Sequence, residues 1–174
     1  VRESVRQLEE KGIKVIDFGV GDPTEPTPEI VRNAIKLSVD KNATSGYPSY
    51  VGAVKYREAI ARWTKGRFNV DLNPETEICS SIGSKEIIFN FPEAFIDPGD
   101  VVLIPNPAYP PYIRGTQFAE GHIHYMNLLP ENNFLPDLNV IPLDVIKKAK
   151  ILWINYPNNP TGATASLDFF KKVV

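Results

Sequence analysis

Sulfur is scarce in this chain, which has one cysteine, Cys79, in 174 residues. An internal disulfide is excluded, and the expected role of Cys79 is a small buried hydrophobe. Histidine is limited to His122 and His124. They share one face of an expected strand, but no acid or cysteine at ligand spacing completes a metal set, so they read as structural residues. No apolar run approaches the ~20 residues of a membrane span, and no membrane partner is expected. An excess of charge is also lacking: 19 basic against 21 acidic side chains leave a net −2 with the histidines neutral. That excludes the strongly basic field of nonspecific nucleic-acid binders, and no nucleic-acid partner is expected. The chain starts at Val1, without an initiator methionine, and no signal peptide is visible; the expected compartment is the cytoplasm.

Proline, by contrast, is plentiful: 16 residues, nearly twice the average of about 5%. Hydrophobic residues make up 43% and charged residues 23%, a globular composition. A domain of this length buries roughly 70% of its unfolded surface without a metal or disulfide staple. The final Phe169-Phe170-Lys171-Lys172-Val173-Val174 reads as a helix cut in its second turn. The expectation is a piece of a longer protein.

Val1 to Lys11 has helical spacing and stops at Gly12, and Ile13 to Gly19 reads as a short strand. Thr27 is expected to cap a helix with Pro28 at its first position. Residues 41–50 read as a loop. A second helix follows Gly52, with Tyr56, Ile60 and Trp63 at near-helical spacing, and is expected to stop at Gly66. From Glu77 strands and helices alternate. Ile78 to Ile82 reads as a strand, and Gly83-Ser84 opens a helix to about Phe95, which Pro92 should kink or end. Asp97 to Asp100 is a turn, and Val101 to Ile104 is a strand covered on both faces. A helix ending near Gly121, a strand from His122 to Leu128, a helix over 143–148 and a buried strand from Ile151 to Asn155 follow. Ser166 caps the last helix. This alternation predicts an α/β domain with a largely parallel sheet, with the first 45 residues as a separate arm.

Several motifs fail. Gly19-x-Gly21 is followed by Thr24 instead of a third glycine, so the dinucleotide fingerprint is incomplete. Gly83-Ser84-Lys85 lacks the upstream glycine of a P-loop. Asn42-Ala43-Thr44 is formally a glycosylation sequon, read as coincidence.

Four segments lie at strand ends or in loops, where α/β folds place ligands. Ser81-Ile82-Gly83-Ser84-Lys85 puts a glycine before a helix start, whose free N–H groups suit a phosphate or carboxylate; an ordinary strand-to-helix turn fits it too. Asn106-Pro107-Ala108-Tyr109-Pro110-Pro111-Tyr112 is a stiff loop whose aromatics could stack on a planar heterocycle or simply pack beneath the loop. Tyr156-Pro157-Asn158-Asn159-Pro160-Thr161-Gly162 could aim an amide in a set direction, or be only a turn. Ser45-Gly46-Tyr47-Pro48-Ser49-Tyr50-Val51-Gly52 is a tyrosine-bearing loop.

Together these segments resemble the class I/II pyridoxal-phosphate aminotransferases, the aspartate aminotransferase-like group of fold type I. The resemblance also takes in Phe18-Gly19-Val20-Gly21-Asp22-Pro23 with Thr27-Pro28, Arg57-Glu58-Ala59-Ile60 and Asp97-Pro98-Gly99-Asp100, in family order over nearly the whole chain. It leans toward the subgroup of aspartate and LL-diaminopimelate aminotransferases. It implies a three-layer α-β-α sandwich, incomplete at the C-terminus. Residues 1–45 would form an arm on the small-domain side, and 46–174 the first part of the large cofactor domain. It implies pyridoxal 5'-phosphate as cofactor, amino-acid and 2-oxo-acid substrates, and a homodimer.

By that resemblance, Gly83, Ser84 and Lys85 meet the cofactor phosphate, Tyr109 stacks on its ring, and Asn159 hydrogen-bonds its phenolic oxygen beside the substrate. Tyr47 reaches the phosphate of the other subunit, and Gly21 borders the substrate carboxylate. The family's Schiff-base lysine, pyridine-nitrogen aspartate and carboxylate-binding arginine match no position here, so no catalytic residue is expected in this chain. The alternatives are another enzyme of the same fold and cofactor (a carbon–sulfur lyase or a cyclopropane-carboxylate synthase) and a noncatalytic regulatory module.

Overall fold

The computed structural model describes residues 2–16, 21 and 23–174. The chain divides into two compact units, Val1–Pro48 and Ser49–Val174. In the first unit, helix α1 (Arg2–Glu10) ends at Gly12, whose φ of 75° is open to a residue without Cβ. Gly12 N–H donates to Glu9 O at 2.8 Å and Ile13 N–H to Leu8 O at 3.0 Å, which satisfies carbonyls of the last turn. Residues 13–16 form no strand, and the rest of the strand expected there lies outside the described residues. Helix α2 (Glu29–Lys41) begins one residue later than expected. Pro28, with ψ at 141°, is still extended and is itself the cap, which leaves Thr27 too far back to serve. Asn42 closes α2 by donating its Nδ2 to Ser38 O at 2.7 Å.

The second unit opens with helix α3 (Val54–Phe68), which runs through Gly66. A helical glycine costs about 1 kcal/mol relative to alanine but does not end a helix by itself. The stop is Asn69, which takes the left-handed conformation at φ 55°. Residues 78–82 are not a strand. A strand needs a run of backbone bonds to a neighbour, and among the described residues this segment makes one backbone–backbone bond, from Ser80 N–H to Val51 O at 3.1 Å. Cys79 is consequently exposed, contrary to its expected burial. Helix α4 (Ser84–Phe95) passes through Pro92 unbroken. Pro92 falls in the last turn, where it forfeits one donor, and its ring is fully buried.

Strands β1 (Val101–Asn106), β2 (His122–Asn127) and β3 (Ala149–Leu152) form one parallel sheet in the order β2-β1-β3. Helix α5 (Pro110–Phe118) connects β1 to β2, and α6 (Leu143–Lys148) precedes β3. Side chains alternate across a strand, so the central β1 feeds two cores. Val102 and Ile104 pack with Ile96, Tyr112 and Ile151 on one face; Val101 and Leu103 pack with Met126 and Ile141 on the other. Ile88 of α4 and Ile113 of α5 cover the first face and Val145 of α6 the second, the three layers expected of the sandwich. Helix α7 (Leu167–Val173) is capped as expected: Ser166 Oγ accepts from Phe169 N–H at 3.2 Å.

Helices α4 and α5 meet at Gly115, which is buried. A Cβ there would overlap the Phe89 carbonyl oxygen and stand 3.0 Å from its carbon. Backbone cannot yield as a flexible side chain can. Gly115→Ala should therefore destabilise the intact protein by about 1–3 kcal/mol, read as a lower midpoint in chemical denaturation. An unchanged midpoint would show that the two helices separate without cost.

Candidate functional site

Parallel β1 and β3 are neighbours, so the loops that follow them leave the sheet at the same edge. The strand order reverses at β1, and open parallel sheets place ligand crevices outside the C-terminal strand ends at such a point. The loop after β1 delivers Tyr109, which caps α5 with Pro110 and Pro111 directly behind it. Tyr109 is half-buried and meets Tyr112 edge to face, with centroids 5.9 Å apart. Tyr112 stacks on Trp153 at 4.7 Å. Burial pushes the Tyr112 phenol above its ordinary range, and the neighbouring Tyr109 adds to this.

At the start of α4, Gly83 takes φ 75° and ψ 169° and gives the helix no side-chain cap. A Cβ on Gly83 would meet nothing within 4 Å, so the approach is open. Ser81 Oγ donates to Gly83 O at 3.0 Å. The Glu86 carboxylate accepts from the Ile82 N–H. The N–H groups of Ser84 and Lys85 have no partner among the described residues. Glu86 is absent from the sequence-expected set, although Gly83-x-x-Glu86 has the spacing of a capping box, the one signal that points to it.

Two of the sequence-expected site residues come together directly. Lys85 and Tyr109 line one open cavity of about 640 Å³, with Ile82, Glu86, Phe89 and Arg114 among the other walls. Gly83 and Ser84 adjoin Lys85 in the chain without lining it. Asn159 is not among its walls either; it is exposed in the turn after β3. Its N–H donates to Asn155 Oδ1 at 3.0 Å, and its side-chain amide bonds to none of the described residues. The neighbouring Asn158 is 5% exposed and holds the turn. Asn158 donates its Nδ2 to Thr161 Oγ1 at 2.8 Å and its N–H to Ala163 O at 2.8 Å, and Gly162 N–H donates to Asn158 O at 2.7 Å. Tyr156, whose phenol burial pushes upward, donates to Phe134 O at 2.9 Å and anchors the other end of the loop. Gly21 and Tyr47 belong to the first unit, and both are exposed. No group of three or more histidine, cysteine or acidic side chains able to hold a metal occurs among the described residues.

Residues 13–174 match the family Aminotransferase class I and II. The chain belongs to that family. LL-diaminopimelate aminotransferase from Aquifex aeolicus is 56% identical over 165 residues, covering 95% of this chain and 43% of the relative. The enzyme of the same name from Gloeobacter violaceus is 54% identical over 165 residues, covering 94% and 42%. Among solved structures, apo-BacF from Bacillus subtilis superposes with a TM-score of 0.90 at 37% identity, over 99% of this chain and 44% of that one. A probable N-succinyldiaminopimelate aminotransferase from Thermus thermophilus gives 0.89 at 34%, over 99% and 46%. The chain thus spans 42–43% of the length of these two curated relatives.

Class I and II aminotransferases depend on pyridoxal phosphate. The donor set here fits that group. Two unpartnered N–H groups at an unobstructed helix start suit a phosphate, and the half-buried phenol ring of Tyr109, which lines one cavity with Lys85, suits a planar heterocycle. The asparagines separate into one that holds the turn and one with a free amide. Asn158→Ala should cost about 1 kcal/mol of stability, whereas Asn159→Ala should stay within about 0.5 kcal/mol. Denaturation midpoints of the two variants check this, and equal losses would refute the division.

Proposed function

We propose that the intact protein is a pyridoxal-phosphate-dependent aminotransferase that moves an amino group between LL-diaminopimelate and a 2-oxo acid. The observation that carries the reading is the cavity shared by the start of α4 and Tyr109, in a chain about half identical to enzymes of that name. In this reading the Ser84 and Lys85 N–H groups hold the cofactor phosphate beside Gly83, which admits it. Tyr109 lies against the ring, and Asn159 donates its free amide to the phenolic oxygen. Gly21 borders the substrate carboxylate. When bound, pyridoxal phosphate supplies an electron sink for the charge left at the substrate α-carbon. The residues of this chain bind and orient. The lysine that moves the proton at that carbon matches no position here and belongs to the part of the protein outside residues 1–174.

Residues 1–45 are assigned to the small-domain side and 46–174 to the first part of the large domain. The working form is a homodimer in the cytoplasm, in which the fully exposed Tyr47 serves the phosphate of the other subunit. Light scattering at assay concentration reads the dimer directly. The curated relatives described above are all named aminotransferases, which favours amino transfer over a carbon–sulfur lyase, a cyclopropane-carboxylate synthase or a noncatalytic module.

The test of function is amino transfer from LL-diaminopimelate to 2-oxoglutarate by the intact protein, followed as glutamate formed. No glutamate with cofactor saturating would overturn the reading. In the same protein Tyr109→Ala should weaken cofactor binding about 2- to 13-fold, while Tyr109→Phe keeps the ring and should be mild. Residues 1–174 alone should not transaminate, and borohydride reduction with pyridoxal phosphate present should label no single lysine stoichiometrically. One fully labelled lysine, mapped by peptide mass, would place the catalytic lysine inside this chain.

A further inference from the structure

Arg57 is 7% exposed, and among the described residues no carboxylate lies within ion-pair distance of it. A buried guanidinium without an anion is costly unless its donors are used. Its donors here go to backbone carbonyls: Nε to Gly52 O at 3.3 Å, and a terminal nitrogen to Pro74 O. These carbonyls belong to segments 22 positions apart, the turn before α3 and the loop that leads to α4. The same two segments are joined again by Ser80 N–H to Val51 O at 3.1 Å. Gly52, with φ at 92°, sits so close to Ser80 that a Cβ would stand 2.5 Å from its Oγ and 2.7 Å from its Cβ. Within the loop, Glu77 N–H donates to Asn73 O at 2.9 Å and Glu77 Oε2 accepts from Asn73 N–H at 2.7 Å. From Ser80 the chain has three residues to reach Ser84 and no strand pairing of its own to fix it.

We propose that Arg57 is a positioning residue for the phosphate end of the cofactor site. It clamps the Gly52 and Pro74 carbonyls, and through the Val51–Ser80 bond it sets where residues 81–83 deliver the start of α4. The proposal rests on the cofactor reading above and concerns only how the anion-binding end is held. A cation suits this task because it binds two carbonyls at once through charge-assisted bonds from one planar group.

The experiment compares binding of pyridoxal phosphate and of pyridoxal, which lacks the phosphate, to the intact apoprotein by fluorescence titration. The variants are Arg57→Gln, Arg57→Lys and Gly52→Ala. Arg57→Gln should weaken pyridoxal phosphate about tenfold and leave pyridoxal nearly unchanged, so that the preference for the phosphate falls by the same factor. Arg57→Lys keeps the charge and can still reach one carbonyl, so it should recover part of the loss. Gly52→Ala breaks the same junction from its other side and should show the same phosphate-selective loss. It stands in if Arg57→Gln does not fold. Equal weakening of both ligands, or an unchanged preference in the variants that fold, would overturn the positioning role. Wild-type protein that binds neither ligand would overturn the cofactor reading and this proposal with it.

Discussion

The central strand has no free side. Val101 to Pro105 are buried along their whole length, paired throughout to β2 on one edge and over Val101 to Leu103 to β3 on the other, and the strand is covered on both faces. Each of those coverings must be present at once, because an unpaired backbone group or a bare apolar face in the middle of a sheet would each cost free energy. The fixed position of β1 then settles where the following loop emerges. Tyr109 is placed by β1 as much as by its own prolines, since α5 can turn back only onto the face where Val102 and Ile104 wait. The loop after β3 inherits its position from the same strand, as Trp153 N–H extends the ladder to Leu103 O at 3.0 Å.

The elements most legible in the sequence are those whose signal is local. Val101 to Ile104 is an uninterrupted apolar run, and residues 143–148 and the Ser166 cap carry their signals within a turn. Residues 78–82 misled because β-branched and small residues suit a strand, while pairing depends on a neighbour that composition does not reveal. Thr27 misled because a threonine before a proline is the usual start signal; here Pro28 remains extended. Gly66 misled because the penalty of a helical glycine is smaller than the gain from continuing to an asparagine that accepts positive φ.

The candidate site carries signals of the same local kind. Its helix start and its aromatic loop stand out because glycine and proline constrain backbone where ligands approach. The two asparagines carry identical chemistry in sequence, and only burial distinguishes the one that holds the turn from the one whose amide is free. Arg57 belongs to the segment that carries the family resemblance, which gives it no role. Its spacing of three from Ile60 sets it toward the apolar side of the helix, but spacing does not say what a charge would meet there. What it binds, two carbonyls outside its own helix, is visible only in three dimensions.

The contact at Gly115 bears on how such a cavity can change over time. Helices α4 and α5 touch backbone to backbone, and each begins at a wall of the same cavity. Substitutions in the loops can alter which groups face an occupant, yet the span between the two walls stays set by helices that cannot slide apart independently. A graft of this cavity into another scaffold would have to carry residues 84–118 as one cassette. Loop exchange alone would vary what the cavity recognises while conserving the length of what it admits.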